Sequence, residues 1–157
     1  MLSTNDIIDI VPHKHPYLLV DRIVELKEGE RVVGIKAVSY AESVFSGHFP
    51  TNPIWPGAFI VEASSQVAGF IVYSKNEKLS GFIIEIKEFK FFKPVKPGCL
   101  LSIEANKTKI RGHFLEVEIK VKDNDELIAR GALLMFINTG ASKSINQTQQ
   151  AGSHDAN

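Results

Sequence analysis

The sequence predicts an α+β domain in which a curved antiparallel sheet wraps one long central helix. Three observations carry that expectation. An apolar helical segment occupies residues 58–73, two strand-like runs precede it, and four follow it. One later run alternates strictly, with Leu115, Val117, Ile119 and Val121 set against Glu116, Glu118, Lys120 and Lys122. Such alternation buries one sheet face and wets the other, and the apolar helix is the natural cover for the buried one.

The elements follow in order. Ser3 or Thr4 caps a short helix through Ile7, Ile8 and Ile10 that Pro12 closes. Residues 17–26 and 31–40 read as a hairpin around Glu28-Gly29-Glu30. Between the short helix and this hairpin, His13 and His15 stand at i and i+2 without the further ligands a metal site needs, so no metal is expected. Residues 46–57 form a loop stiffened by Pro50, Pro53 and Pro56 and loosened by Gly47 and Gly57. Pro56 suits the first helical position, and Gly57 leaves the amides at the helix start unshielded.

At 100° per residue, the helix separates a broad apolar arc from a narrow stripe of Glu62, Ser65, Gln66, Gly69 and Tyr73. The helix pattern alone favours a plain solvated Glu62 over a selected polar spot in a buried helix. Residues 75–80 read as a polar loop. Strands are expected over 81–92, 99–110, 113–122 and 127–137, with turns at Arg111-Gly112 and Asp123-Asn124-Asp125. Residues 1–138 then form one domain. Residues 139–157, rich in Ser, Asn, Gln and Gly, read as a disordered tail. The helix carries more apolar arc than one sheet face covers, so a homodimer is expected.

Composition narrows the function classes. Eighteen Lys and Arg balance eighteen Asp and Glu, which removes a global electrostatic case for nucleic acid or an anionic membrane. Cys99 is the single cysteine, which excludes an intrachain disulfide and fits a reducing compartment. Residues 1–9 contain no basic apolar leader and no apolar run is long enough to span a bilayer, so a cytoplasmic location is expected.

The chemistry gathers at the loop and the helix. Imidazole suits a general base near neutral pH, and a carboxyl in an apolar setting suits a general acid. His48 and Glu62 supply that pair, and the amides of Gly57 and Ala58 present donors and a positive dipole end to a developing enolate. Weighed with His48, Glu62 changes from a solvated residue to a candidate acid. The constellation reads as proton chemistry α to a carbonyl.

Gly47-His48-Phe49-Pro50, Pro53, Pro56-Gly57, Glu62-Ala63 and Gln66 resemble the signature of the beta-hydroxyacyl-[acyl-carrier-protein] dehydratases of the FabZ type. Residues 12–22 and Phe91 with Lys93-Pro94-Val95-Lys96-Pro97-Gly98 extend the resemblance, which spans about 7–137. It implies a hot-dog fold, dimers assembling into a hexamer, no cofactor, and dehydration of a (3R)-hydroxyacyl thioester to the trans-2-enoyl thioester. By resemblance His48 is the base at C2, Glu62 of the partner protonates the departing hydroxyl, Gly57 N–H holds the thioester carbonyl, and Gln66 orients Glu62. Phe49, Trp55 and Ala58 are then expected to contact substrate. Lys90 and Lys93, within a recurrence that includes Lys87 and Lys96, are expected to dock acyl carrier protein, or else simply to guard a strand edge.

Thr51, Trp55 and Cys99 depart from the family pattern. Trp55 either narrows an acyl tunnel, altering chain-length or aromatic-acyl preference, or is a core aromatic. Alternative functions are a dehydratase of a specialised lipid or polyene pathway, a hot-dog thioesterase, and a noncatalytic acyl-binding partner.

Overall fold

A computed structural model describes residues 1–73 and 78–139. Helix α1 (Thr4–Ile10) starts on a capping box, with the Ser3 hydroxyl accepting from the Asp6 amide and the Asp6 carboxylate accepting from the Ser3 amide. Strands β1 (Arg22–Lys27) and β2 (Arg31–Ala37) form the expected hairpin, turning through Gly29 at φ 72°. Helix α2 (Gly57–Gly69) tightens into a 3-10 turn at Phe70–Val72. Strands β3 (Leu79–Phe91), β4 (Leu100–Arg111), β5 (Phe114–Asp123) and β6 (Glu126–Thr139) complete one antiparallel sheet. Its order is β1-β2-β4-β5-β6-β3.

The sheet curls around α2 as the hot-dog expectation requires. Leu101, Ile103 and Ala105 of β4, Leu115, Val117, Ile119 and Val121 of β5, and Leu133 and Met135 of β6 are buried toward the helix. From α2 they meet Ile60, Val61, Ala63, Val67 and Ala68. Gly34 sets the closeness of this packing: a Cβ there would lie 2.4 Å from Val67 Cγ2. Ser64 and Ser65 are tolerated in the buried helix because their hydroxyls donate to the carbonyls of Ile60 and Glu62.

Several expected boundaries shift. The first strand begins at Arg22 rather than Tyr17, because the amides of Tyr17 and Leu18 bond back to the Lys14 carbonyl and that of Leu19 goes to the Gln66 side chain. Pro56 is the N-cap and not the first helical residue. Its ψ of 136° is extended, while its carbonyl accepts from Phe59 and Ile60. Leu79 and Ser80 belong to β3, and β6 continues through Thr139. The rest of the expected 75–80 loop at residues 75–77, and the expected tail from residue 140 onward, fall outside the described residues.

Strand β3 lies at the sheet edge and exposes Phe82, Ile84, Ile86 and Phe91, a long apolar edge of the kind that pairs with another strand. Among the described residues no helix is long and apolar enough to cross a membrane.

Candidate active site

The loop before α2 holds His48 by both backbone and side chain. The His48 amide donates to the Val44 carbonyl at 2.9 Å, and the Ile54 amide donates to the His48 carbonyl at 3.0 Å. Nδ1 of His48 lies 2.7 Å from the Ile54 carbonyl oxygen. A carbonyl can only accept, so Nδ1 carries the hydrogen and Nε2 keeps a free lone pair. Phe49, half-exposed, stacks on the imidazole with ring centroids 4.2 Å apart.

The helix start is open as its sequence suggested. Phe59 and Ile60 are the first amides to reach the Pro56 carbonyl, and Pro56 supplies no side-chain cap. The amides of Gly57 and Ala58 therefore precede the helical ladder, and the macrodipole adds positive potential there. Gly57 lines a groove with Ile54, Ile60, Phe91 and Val95. A Cβ on Gly57 would stand 3.2 Å from the Phe91 ring, so the residue leaves the groove just wide enough. Ala58 is exposed. Trp55 borders the same groove but is 1% exposed, which leaves it almost no surface of its own to offer a ligand.

Glu62 occupies a separate cavity of about 270 Å³ formed by the α1–β1 connection, the polar stripe of α2 and the inner ends of β3 and β6. Its floor is apolar, with Leu79, Ile83, Met135 and Ile137. The carboxylate is not the solvated side chain that the helix pattern alone favoured; it is 18% exposed and tied down. Gln66, 5% exposed, donates from Nε2 to Glu62 Oε1 at 2.9 Å, one helical turn away. Nε2 of Gln66 also donates to the Tyr17 carbonyl, and its Oε1 accepts from the Leu19 amide, each at 2.9 Å.

Two residues at this cavity were not assigned from sequence. Nε2 of His13 stands 3.8 Å from Glu62 Oε1, and its Nδ1 is buried without a protein partner. The Tyr17 phenol is pushed above its ordinary range, first by loss of solvent and then by the Glu62 carboxylate beside it. Their signal was the segment Pro12-His13-Lys14-His15-Pro16-Tyr17, which falls within the family resemblance but in which no residue was given a role.

The expected residues therefore divide between two places. His48, Phe49, Gly57 and Trp55 cluster at the loop and groove, while Glu62 and Gln66 share a cavity that His48 does not line. Lys87 and exposed Lys90 line one groove with Glu118, Lys120 and Arg130, where Lys87 pairs with Glu85 and Glu116; Lys93, in the β3–β4 connection, lies outside that groove and pairs with Glu126 of β6.

Comparison with known proteins identifies the lineage. Residues 11–132 match the FabA-like domain family. The chain is 46% identical over 139 residues to "3-hydroxyacyl-[acyl-carrier-protein] dehydratase FabZ" of Caldanaerobacter subterraneus subsp. tengcongensis, covering 87% of this chain and 97% of that protein. It is 40% identical over 140 residues to the protein of the same name from Caldicellulosiruptor bescii, covering 87% and 99%. A solved structure, "The Dehydratase Heterocomplex ApeI:P from Xenorhabdus doucetiae", shares the fold with a TM-score of 0.72 at 18% identity, covering 90% of this chain and 94% of that one. By these matches the chain belongs to the FabA-like family and, within it, to the FabZ 3-hydroxyacyl-[acyl-carrier-protein] dehydratases.

Proposed function

We propose that the chain dehydrates a (3R)-hydroxyacyl thioester carried on acyl carrier protein, giving the trans-2-enoyl thioester and water, in fatty-acid synthesis. The observation that carries the mechanism is the hydrogen bond from His48 Nδ1 to the Ile54 carbonyl, which leaves Nε2 as a base. Nε2 takes the proton from C2, and the Gly57 amide and the helix dipole stabilise charge on the thioester oxygen. Electrons from the broken C2–H bond form the C2–C3 double bond as the C3–O bond breaks. Glu62 gives its proton to the departing oxygen, which leaves as water. Gln66 occupies Glu62 Oε1 as a donor, so Oε2 is the oxygen that carries the proton. Phe49 and Ala58 border the substrate path. The reaction needs no metal or other cofactor beyond the phosphopantetheine arm of the substrate carrier.

The working unit is a homodimer, assembling further as a trimer of dimers. Support comes from the apolar β3 edge and from the separation of His48 and Glu62 within one protomer. In the dimer, Glu62 of one copy completes the site of His48 and Gly57 in the other, and the acyl tail follows the apolar floor of the Glu62 cavity. Acyl carrier protein docks beside Lys90, with Lys93 contributing once released from Glu126. We place the enzyme in the cytoplasm, consistent with its single cysteine.

Mass spectrometry of 3-hydroxyacyl carrier protein incubated with the enzyme tests the reaction: loss of one water is expected, and none with His48→Ala. Release of a free thiol instead would establish a thioesterase. Mixing inactive His48→Ala and Glu62→Gln chains tests the shared site. Random re-pairing should restore about one quarter of wild-type activity, since half the dimers would hold one intact site of two. No recovery after verified subunit exchange would place both residues in a single-protomer site.

A further inference from the structure

Behind the histidine loop lies an ion cluster around a buried lysine that the dehydration steps do not use. Lys36 on β2 is 7% exposed, an unusual place for an ammonium group. Its Nζ lies 3.0 Å from Glu42 Oε1 and 4.0 Å from Asp21 Oδ2. The other oxygen of Glu42 accepts the Trp55 indole N–H at 2.8 Å, and Lys36 Nζ stands 5.9 Å from the centre of the Trp55 ring. The Ser39 amide also donates to Glu42 Oε1 at 3.3 Å.

Glu42 thereby grips both ends of the loop. Its own carbonyl accepts the Phe45 amide at the start of the 3-10 turn Ser43–Ser46, from which the Val44 carbonyl accepts the His48 amide. Its carboxylate holds Trp55, whose amide donates to the Val95 carbonyl at 2.8 Å. The residue before Trp55 is Ile54, the carbonyl partner of His48 Nδ1; two residues after it is Gly57. We infer that Lys36, Glu42 and Trp55 form a positioning latch that fixes the tautomer and direction of the His48 imidazole by holding the Ile54 carbonyl in place. Trp55 then acts through the loop from its core side, and not as a wall of an acyl tunnel. Lys36 sits against one oxygen of the Glu42 carboxylate, so the indole N–H on the other meets an ion-paired, fixed acceptor.

The inference rests on His48 being the base for its kinetic consequence, and the test separates the two ideas. In ¹⁵N-edited spectra of the full-length protein, the His48 imidazole of the parent should show one tautomer with hydrogen on Nδ1. Trp55→Phe keeps a ring but removes the donor, and Glu42→Gln keeps an acceptor but removes the charge. Both should give mixed tautomers, with kcat lowered about tenfold and KM within about twofold, as expected for a sub-ångström displacement of a reacting group. A single unchanged tautomer in both folded variants overturns the latch, whatever happens to kcat. Retained activity in His48→Ala would instead overturn the base assignment, while leaving the tautomer measurement intact as a test of the latch.

Discussion

Gln66→Leu is the substitution whose consequences can be worked furthest. The change keeps the volume of a buried side chain, so the cavity term is small and the lost hydrogen bonds dominate. The Leu19 amide, on a residue 2% exposed, loses its acceptor, and an orphaned buried donor costs about 1–3 kcal/mol. Loss of the donor to the Tyr17 carbonyl and the Glu62 carboxylate adds about 1–2 kcal/mol, the net worth of such bonds. The sum, about 2–5 kcal/mol, corresponds to a fall in Tm of about 5–15 °C for a chain of this size. Because an oligomer's Tm depends on concentration, calorimetry should compare both proteins at one protomer concentration. With Glu62 as the proposed acid, the remaining folded enzyme should lose kcat more than substrate affinity, since the freed carboxyl would no longer be held at the leaving oxygen. Gln66→Glu provides the sign: it retains an acceptor for Leu19 but sets a second carboxylate against Glu62, which favours the protonated acid, so the alkaline limb of the pH–rate profile should move upward. A Gln66→Leu protein within about 0.5 kcal/mol of the parent, with unchanged kcat, would refute the reasoning, since surface-like tolerance is incompatible with the loss of one buried and two part-buried bonds.

Other perturbations test other parts of the structure. Gly34→Val places side-chain atoms where Val67 already sits, so denaturant titration should show a loss of about 1–3 kcal/mol, partly recovered by adding Val67→Ala. Gly57→Ala crowds the Phe91 ring and the thioester path; kcat/KM should fall while secondary structure by circular dichroism stays intact. Glu104 is held below its ordinary range, first by the Asn106 amide and then by Arg31. A depressed carboxylate contributes stability above its unfolded value that disappears as pH falls through its folded value. Tm should thus decline below the ordinary glutamate range, and Glu104→Gln should show a shallower decline. Lys90→Glu should raise KM severalfold for carrier-bound substrate but not for a short thioester mimic, and equal effects on both would dismiss docking at that position.

Much of this architecture was written in local patterns. The alternation of β5 predicted its buried and exposed faces residue by residue, and the turns at Gly29 and Gly112 carry the positive φ that their residue type permits. The polar stripe Glu62, Ser65, Gln66 and Gly69 reappears as one wall of a cavity. Tyr17 to Asp21 misled because a β-like composition says nothing of where amides find acceptors; Gln66, 47 positions after Leu19, captured one of them. His13 and the Lys36–Glu42 pair were hidden for the same reason, since periodicity records which face is apolar but not which distant charge meets it. Trp55 stood out in sequence as a departure near a substrate path, yet its partner lay thirteen residues away on the far side of the loop.

On the proposed reading, the geometry of α2 gives a second copy a part in the chemistry as well as in burial. Gly57 and Glu62 are five residues apart, so their Cα atoms are separated by about 7.5 Å along the helix axis and about 140° around it. A thioester held, as proposed, at the Gly57 amide would then face a different side of the helix from its own Glu62. A twofold partner removes that mismatch, because it can present its Glu62 from across the interface while receiving the same group in return. In the proposed dimer each helix would serve two sites, with its N-terminus in one and its polar stripe in the other. The same arrangement accounts for a helix whose stripe is buried yet faces a cavity, and for an edge strand that leaves Phe82, Ile84 and Ile86 uncovered in a single protomer.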